Sequence, residues 1–164
     1  FVATAVHLGM TRLTVLADYH IEGEKVTIDA DVLNRELTGF IQRIQLDFGK
    51  VYIKYLFADS AEQYLINGVR KAVMQANPQT HVYDSGKHAI KQRIIATNTL
   101  LNTGRLFLLS GCRLVSEGLR NALWDAKSSK DTRLDDFTSD IDILDAFEYS
   151  WEQFMNKLLP GLKG

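Results

Sequence analysis

The sequence predicts an α/β domain, a mixed β-sheet with helices on both faces. Three observations predict it. Short apolar runs rich in β-branched and aromatic residues alternate with longer stretches whose apolar residues recur every three or four positions. The resulting order is strand, strand, helix, strand, helix, strand, helix, strand, helix, helix, an interleaving that layers helices on a sheet. One stretch, Tyr52 to Gln63, passes from an apolar strand directly into a helix. That is the kind of join at which α/β proteins gather ligands.

Taken in order, Phe1–Val6 and Arg12–Ala17 read as two strands, with Leu8-Gly9-Met10 as a hairpin turn. Asp18 to Lys25 is polar and turn-like, and Gly23 suits a positive φ. His7 and His20 stand near strand ends as ordinary polar groups. Val32–Phe48 is helical through Leu33, Leu37, Phe40, Ile41 and Ile44, with Asp29 and Asp31 where the helix dipole favours anions. Gly49 can close it. After the central strand, residues 61–76 form a helix on Leu65, Val69, Ala72, Val73 and Ala76, stopped by Asn77-Pro78. His81–Asp84 is a short strand.

A further helix opens at Ser85 with Ile90, Ile94, Thr97 and Leu101 inward. Arg105–Leu109 is a strand. Leu114–Leu123 is a helix on Val115, Leu119, Ala122 and Leu123. Residues 126–137 read as a polar loop or hairpin. The last helix runs from Ser139 to Leu159 on Ile141, Leu144, Phe147, Trp151, Phe154 and Leu158, and ends at Pro160-Gly161.

Composition narrows the function. A chain of 164 residues with 46% hydrophobic residues supports one domain with a core. Its net charge of −1 excludes a globally basic surface, so any nucleic-acid contact must be a local patch. Cys112 is the single cysteine, which excludes an internal disulfide and a cysteine-based zinc site and fits a reducing compartment. No apolar run approaches the roughly 18 residues that span a bilayer. The chain opens at Phe1 inside an apolar run, as a piece of a longer polypeptide would.

Two acidic features carry the chemistry. Asp59 ends the central strand, and Ser60 with Gln63 forms a capping-box pattern behind it. Asp59 is either a helix cap or a metal ligand. Asp140, Asp142 and Asp145 open the last helix, and Asp142 and Asp145 share a face. They either complement the helix dipole or bind a hard cation such as Mg²⁺ or Mn²⁺ through oxygen. A strand-end acid with a helix-borne acid is the layout of a two-metal phosphodiester hydrolase. Lys87, His88, Lys91 and Arg93 cluster near the start of one helix. They either grip phosphates or form a solvated face. Gly86-Lys87 lacks the upstream glycine of a P-loop. Lys127, in the polar loop, either reaches DNA or is solvated.

Certain residues, in order, resemble a known family. They are Ala58-Asp59-Ser60-Ala61-Glu62, Gly86-Lys87-His88-Ala89-Ile90, Gly104-Arg105-Leu106, Glu117 with Trp124-Asp125, and Asp142-Ile143-Leu144-Asp145-Ala146-Phe147-Glu148-Tyr149. The set, spread over nearly the whole chain, resembles the nuclease domain of the large terminase subunit of tailed bacteriophages. The resemblance implies a ribonuclease-H-like fold and cleavage of double-stranded DNA during viral genome packaging, with two Mg²⁺ or Mn²⁺ ions. It makes Asp59 the second catalytic acid and Asp145 the third, with Asp142 standing where many relatives carry a histidine. It places the first catalytic acid on a strand upstream of Phe1, and an ATPase domain before that. The implied partners are the small terminase subunit and the portal protein, without a membrane, in the cytoplasm of the infected bacterial host. No element reads as a base-reading helix, so low sequence specificity is expected. A junction resolvase of the same fold and a non-catalytic DNA-binding or assembly module are the alternatives.

Overall fold

A computed structural model describes residues 1–21, 29–49, 51–59, 63–123, 125, 133–134 and 141–161, with the backbone alone for Tyr64 and Leu65. In it the first two strands form the expected hairpin. Strand β1 (Val2–Val6) runs antiparallel to β2 (Leu13–Asp18), with a register shift between Ala3 and Thr4. Met10, and not Gly9, is the left-handed residue of the turn, with φ 53°. Its N–H donates to the His7 carbonyl at 2.7 Å.

The strands make two sheets where the sequence suggests one. Strand β2 pairs parallel with β5 (Leu106–Leu108), giving a mixed sheet in the order β1-β2-β5. Strand β3 (Tyr55–Ala58) pairs parallel with β4 (His81–Asp84) as a separate two-stranded sheet. Helix α2 (Gln63–Ala76) makes the crossover that a parallel pair requires.

The described residues fall into two compact units. One comprises Phe1 and Tyr19–Ser85, the other Val2–Asp18 and Gly86–Gly164. In the first, helix α1 (Ala30–Asp47) starts on a side-chain cap, the Val32 N–H donating to Asp29 Oδ1 at 2.8 Å. Gly49 follows it at φ 60°. Leu37 and Ile41 of α1 pack on Val69 and Val73 of α2, with Leu56 and Val82 from the sheet beside them. The sequence pattern misplaces one edge of α2, because Ala76 is exposed.

The second unit holds the larger core. Helix α3 (Ile90–Asn102), helix α4 (Arg113–Asn121) and helix α5 (Ile141–Tyr149) flank the mixed sheet. A 3-10 turn (Glu152–Phe154) and the short α6 (Met155–Leu158) follow. The continuous last helix of the sequence reading is therefore broken after Tyr149, yet Leu144, Phe147, Trp151 and Leu158 are all buried as expected. Helix α4 ends early, and Leu123 is exposed. Its start is capped from a distance, the Val115 N–H donating to Asp18 Oδ2 at 2.8 Å. Burial pushes the Asp18 carboxyl up, against the pull of the Val115 and Leu114 amides.

The stripe of α3 is rotated by about one position from the expected one. Arg93, Ala96, Thr97 and Leu100 face inward, while Ile95 and Leu101 are exposed. An arginine on the inner face misleads a reading of hydrophobic periodicity. That arginine leads to the site.

Candidate active site

Helix α5 carries Asp142, Asp145 and Glu148 on successive turns. Asp142 is exposed. Asp145 lies at the rim of the core with its side chain 34% exposed, and Glu148 lies inside it at 1%. Two arginines meet them. Arg93 Nη1 donates to Asp145 Oδ1 at 2.9 Å and stands 2.8 Å from Glu148 Oε2. Arg133 Nη1 donates to the same Asp145 Oδ1 at 3.2 Å, and Arg133 Nη2 donates to Glu148 Oε1. Two cations and two anions thus close a neutral quartet. Both guanidinium groups are almost wholly buried, an arrangement that survives only because the charges are paired.

The electrostatics follow from that burial. Desolvation works against the Arg93 charge, but the carboxylates of Glu148 and Asp145 outweigh it and hold the group above its ordinary value. Desolvation pushes the Glu148 carboxyl up, while Arg133 and Arg93 pull it back. The Arg93 guanidinium also lies over the Tyr149 ring, 5.1 Å from its centroid.

One turn further, Glu152 holds the loop that precedes α3. Its Oε1 accepts the Lys87 N–H at 2.9 Å and its Oε2 accepts the His88 N–H at 3.1 Å. His88 Nδ1 is 3.3 Å from the same Oε2. Arg93 Nε donates to the His88 carbonyl at 3.0 Å, so the loop is tied from both sides. Lys87 is left-handed at φ 46°. The backbone amides of Lys87 and His88 are therefore committed to Glu152, and only side chains at these positions can meet a phosphate.

The sequence-predicted residues separate accordingly. Lys87 and Lys91 are exposed and His88 is half-buried. Arg93 is a correction: it is 3% exposed and bound to two carboxylates, so it is not a surface contact for DNA. Asp59 is exposed and follows the last residue of β3 directly, as expected of a strand-end acid. It belongs to the first unit, Asp145 and Asp142 to the second. Ser60, Lys127 and Asp140 lie outside the described residues. Glu148, Glu152 and Arg133 escaped sequence reasoning. Glu148 was legible in principle, since it shares the inward side of α5 with Leu144, and an acid there requires a buried cation. Arg133 was masked by its polar surroundings.

A divalent cation fits this site in part. Asp142 and Asp145 stand one turn apart on α5. Both arginines bind Oδ1 of Asp145, while Oδ2 is outside those contacts. Mg²⁺ is commonly held by one or two carboxylates, waters and substrate phosphate, so these oxygen donors suit a single ion. Among the described residues no three His, Cys, Asp or Glu side chains gather as a fuller metal group.

The fold and site by themselves define an α/β protein with a mixed sheet flanked by helices and a neutralised charge quartet at the rim of one core. Among the described residues no helix is long and apolar enough to cross a membrane. Comparisons with protein-family models, with curated proteins and with solved structures find no match to this chain.

Proposed function

We propose that this chain is a metal-dependent endonuclease for double-stranded DNA, with a ribonuclease-H-like fold, of the kind found in the large terminase subunit of tailed bacteriophages. The supporting observation is Asp145, half-buried at the rim with both arginine contacts on its Oδ1. Asp59 is exposed at the carboxyl end of a parallel strand, the end at which α/β sheets gather ligands, and this supports the reading. In this reading Asp59 and Asp145 are metal ligands for Mg²⁺ or Mn²⁺, and Asp142 assists. The ion supplies an activated water and charge stabilisation. The chain's own contribution is placement: Arg93 and Arg133 orient Asp145, and Glu152 fixes the loop whose Lys87 and His88, with Lys91 and Lys127, meet the DNA backbone.

The ATPase domain, the small terminase subunit, the portal protein and the host cytoplasm belong to the same proposal. Plasmid cleavage in Mn²⁺ or Mg²⁺ tests it. Wild type is expected to nick and linearise plasmid, and Asp145→Asn and Asp59→Ala to lose that activity. Equal cutting by all three would sink the assignment. The pairing of Asp145 with two cations favours one rival, a non-catalytic DNA-binding module. Calorimetry showing DNA binding without Mn²⁺ binding would select it.

A further inference from the structure

We propose that Arg93 is the positioning residue of the Asp145 carboxylate, tying it in one geometry to the loop that carries Lys87 and His88. This rests on the endonuclease reading and extends it to a residue that touches neither DNA nor metal. The Arg93 guanidinium is anchored in three directions. Nε meets the His88 carbonyl at 3.0 Å, and Nη1 meets Asp145 Oδ1 at 2.9 Å and Glu148 Oε2 at 2.8 Å. A planar, delocalised fork held by two hydrogen bonds and a close ion pair cannot swing as an ammonium on a flexible stem can.

Arg133 reaches the same Oδ1. The two arginines therefore engage the same oxygen of Asp145 and fix the orientation of its carboxylate. Such supporting contacts commonly govern metal sites as strongly as the ligands themselves. Two guanidinium groups beside a cation site also repel the ion, and buried Glu148 offsets that repulsion. Because the third anchor is the His88 carbonyl, the backbone that presents His88 and Lys87 and the acid at the rim are set by one side chain.

The test uses the whole chain, with Mn²⁺ alone as the metal probe and plasmid as substrate. In Arg93→Lys the positive charge stays and the fork is lost. The expected result is a fall in kcat of about 10- to 100-fold, with the Mn²⁺ dissociation constant, read from the electron paramagnetic resonance of free Mn²⁺, and the folded fraction unchanged. Arg93→Gln with Glu148→Gln removes one buried cation and one buried anion together. It guards against misfolding, and the expected result is Mn²⁺ binding as tight as wild type or tighter, with cleavage still impaired. Wild-type kcat in Arg93→Lys overturns the proposal. So does a joint loss of kcat, Mn²⁺ affinity and folded fraction by circular dichroism, which marks a merely structural arginine. Wild type that neither binds Mn²⁺ nor cuts plasmid refutes the endonuclease reading itself, and the positioning role with it.

Discussion

Arg93 Nη1 stands 2.8 Å from Glu148 Oε2, and both side chains are almost wholly buried. The pair cannot be broken from one side without stranding a charge. Glu148→Ala would leave Arg93 and Arg133 with Asp145 as their only anionic partner in the quartet. The expected loss is about 3–5 kcal/mol in chemical denaturation, the usual cost of breaking a buried pair. Arg93→Met combined with Glu148→Leu should recover a large part of that loss, because it removes both charges. A double variant no more stable than Glu148→Ala would show that the network is not the source.

Two glycines should respond oppositely to alanine. Gly39, inside α1, has open space where a Cβ would go. Gly39→Ala is expected to stabilise by about 0.5–1 kcal/mol through reduced backbone entropy. Gly118, inside α4, would place a Cβ 3.1 Å from Ile143 Cγ2 and from Leu144 Cδ2. Those side chains are buried and have little room to move. Gly118→Ala is therefore expected to destabilise, since overpacking costs about 1–3 kcal/mol against a smaller helix-propensity gain. Thermal melts of the two variants, shifting in opposite directions, check the pair.

Asp18 makes a pH-dependent prediction. Burial holds its folded-state carboxyl above the ordinary value of 3.8. The folded state thus keeps the proton more tightly than the unfolded one. The stability contributed by the protonated group is present below 3.8 and is lost as pH rises through the folded value. Asp18→Asn keeps an oxygen for the Val115 N–H and removes the charge. Denaturation profiles should converge in acid, with wild type falling behind the variant as pH rises toward neutral. Parallel profiles would contradict the assignment.

Cys112 should be silent toward thiol reagents in the native protein. It is buried, its Sγ lies 3.4 Å from the Val15 carbonyl, and burial pushes the thiol up to about 11. Little thiolate exists at neutral pH, and access is closed. Ellman's reagent should react only after denaturant is added. Rapid reaction without denaturant would disprove the burial.

The elements were legible where apolar side chains alone decide the face. The β1–β2 hairpin, α1 with its Leu37, Phe40, Ile41 and Ile44 stripe, and the inward Leu144, Phe147 and Trp151 all follow from periodicity. Helix α3 was misread because Arg93 occupies an inner position that apolar patterning assigns to its neighbours. The split into two sheets was illegible, since pairing partners distant in sequence leave no local mark on β3 or β5. Asp59 and Asp145 were legible as a strand-end acid and a rim acid from chain position alone. The arginines that organise Asp145 were not, because Arg133 meets it only in the fold and Arg93 read as a surface charge.

Glu152 leaves a different legacy. Its two oxygens hold the main chain at positions 87 and 88, and most of that grip is on amide groups that every residue but proline possesses. The outline of that loop is thus written sixty-odd positions away, in a residue the loop does not contain. The side chain at 88 can be exchanged to suit a different ligand while the path beneath it stays put, whereas the left-handed φ at Lys87 narrows the choice there. The protein has separated the shape of a surface from its chemistry, so the chemistry can drift without the shape being lost.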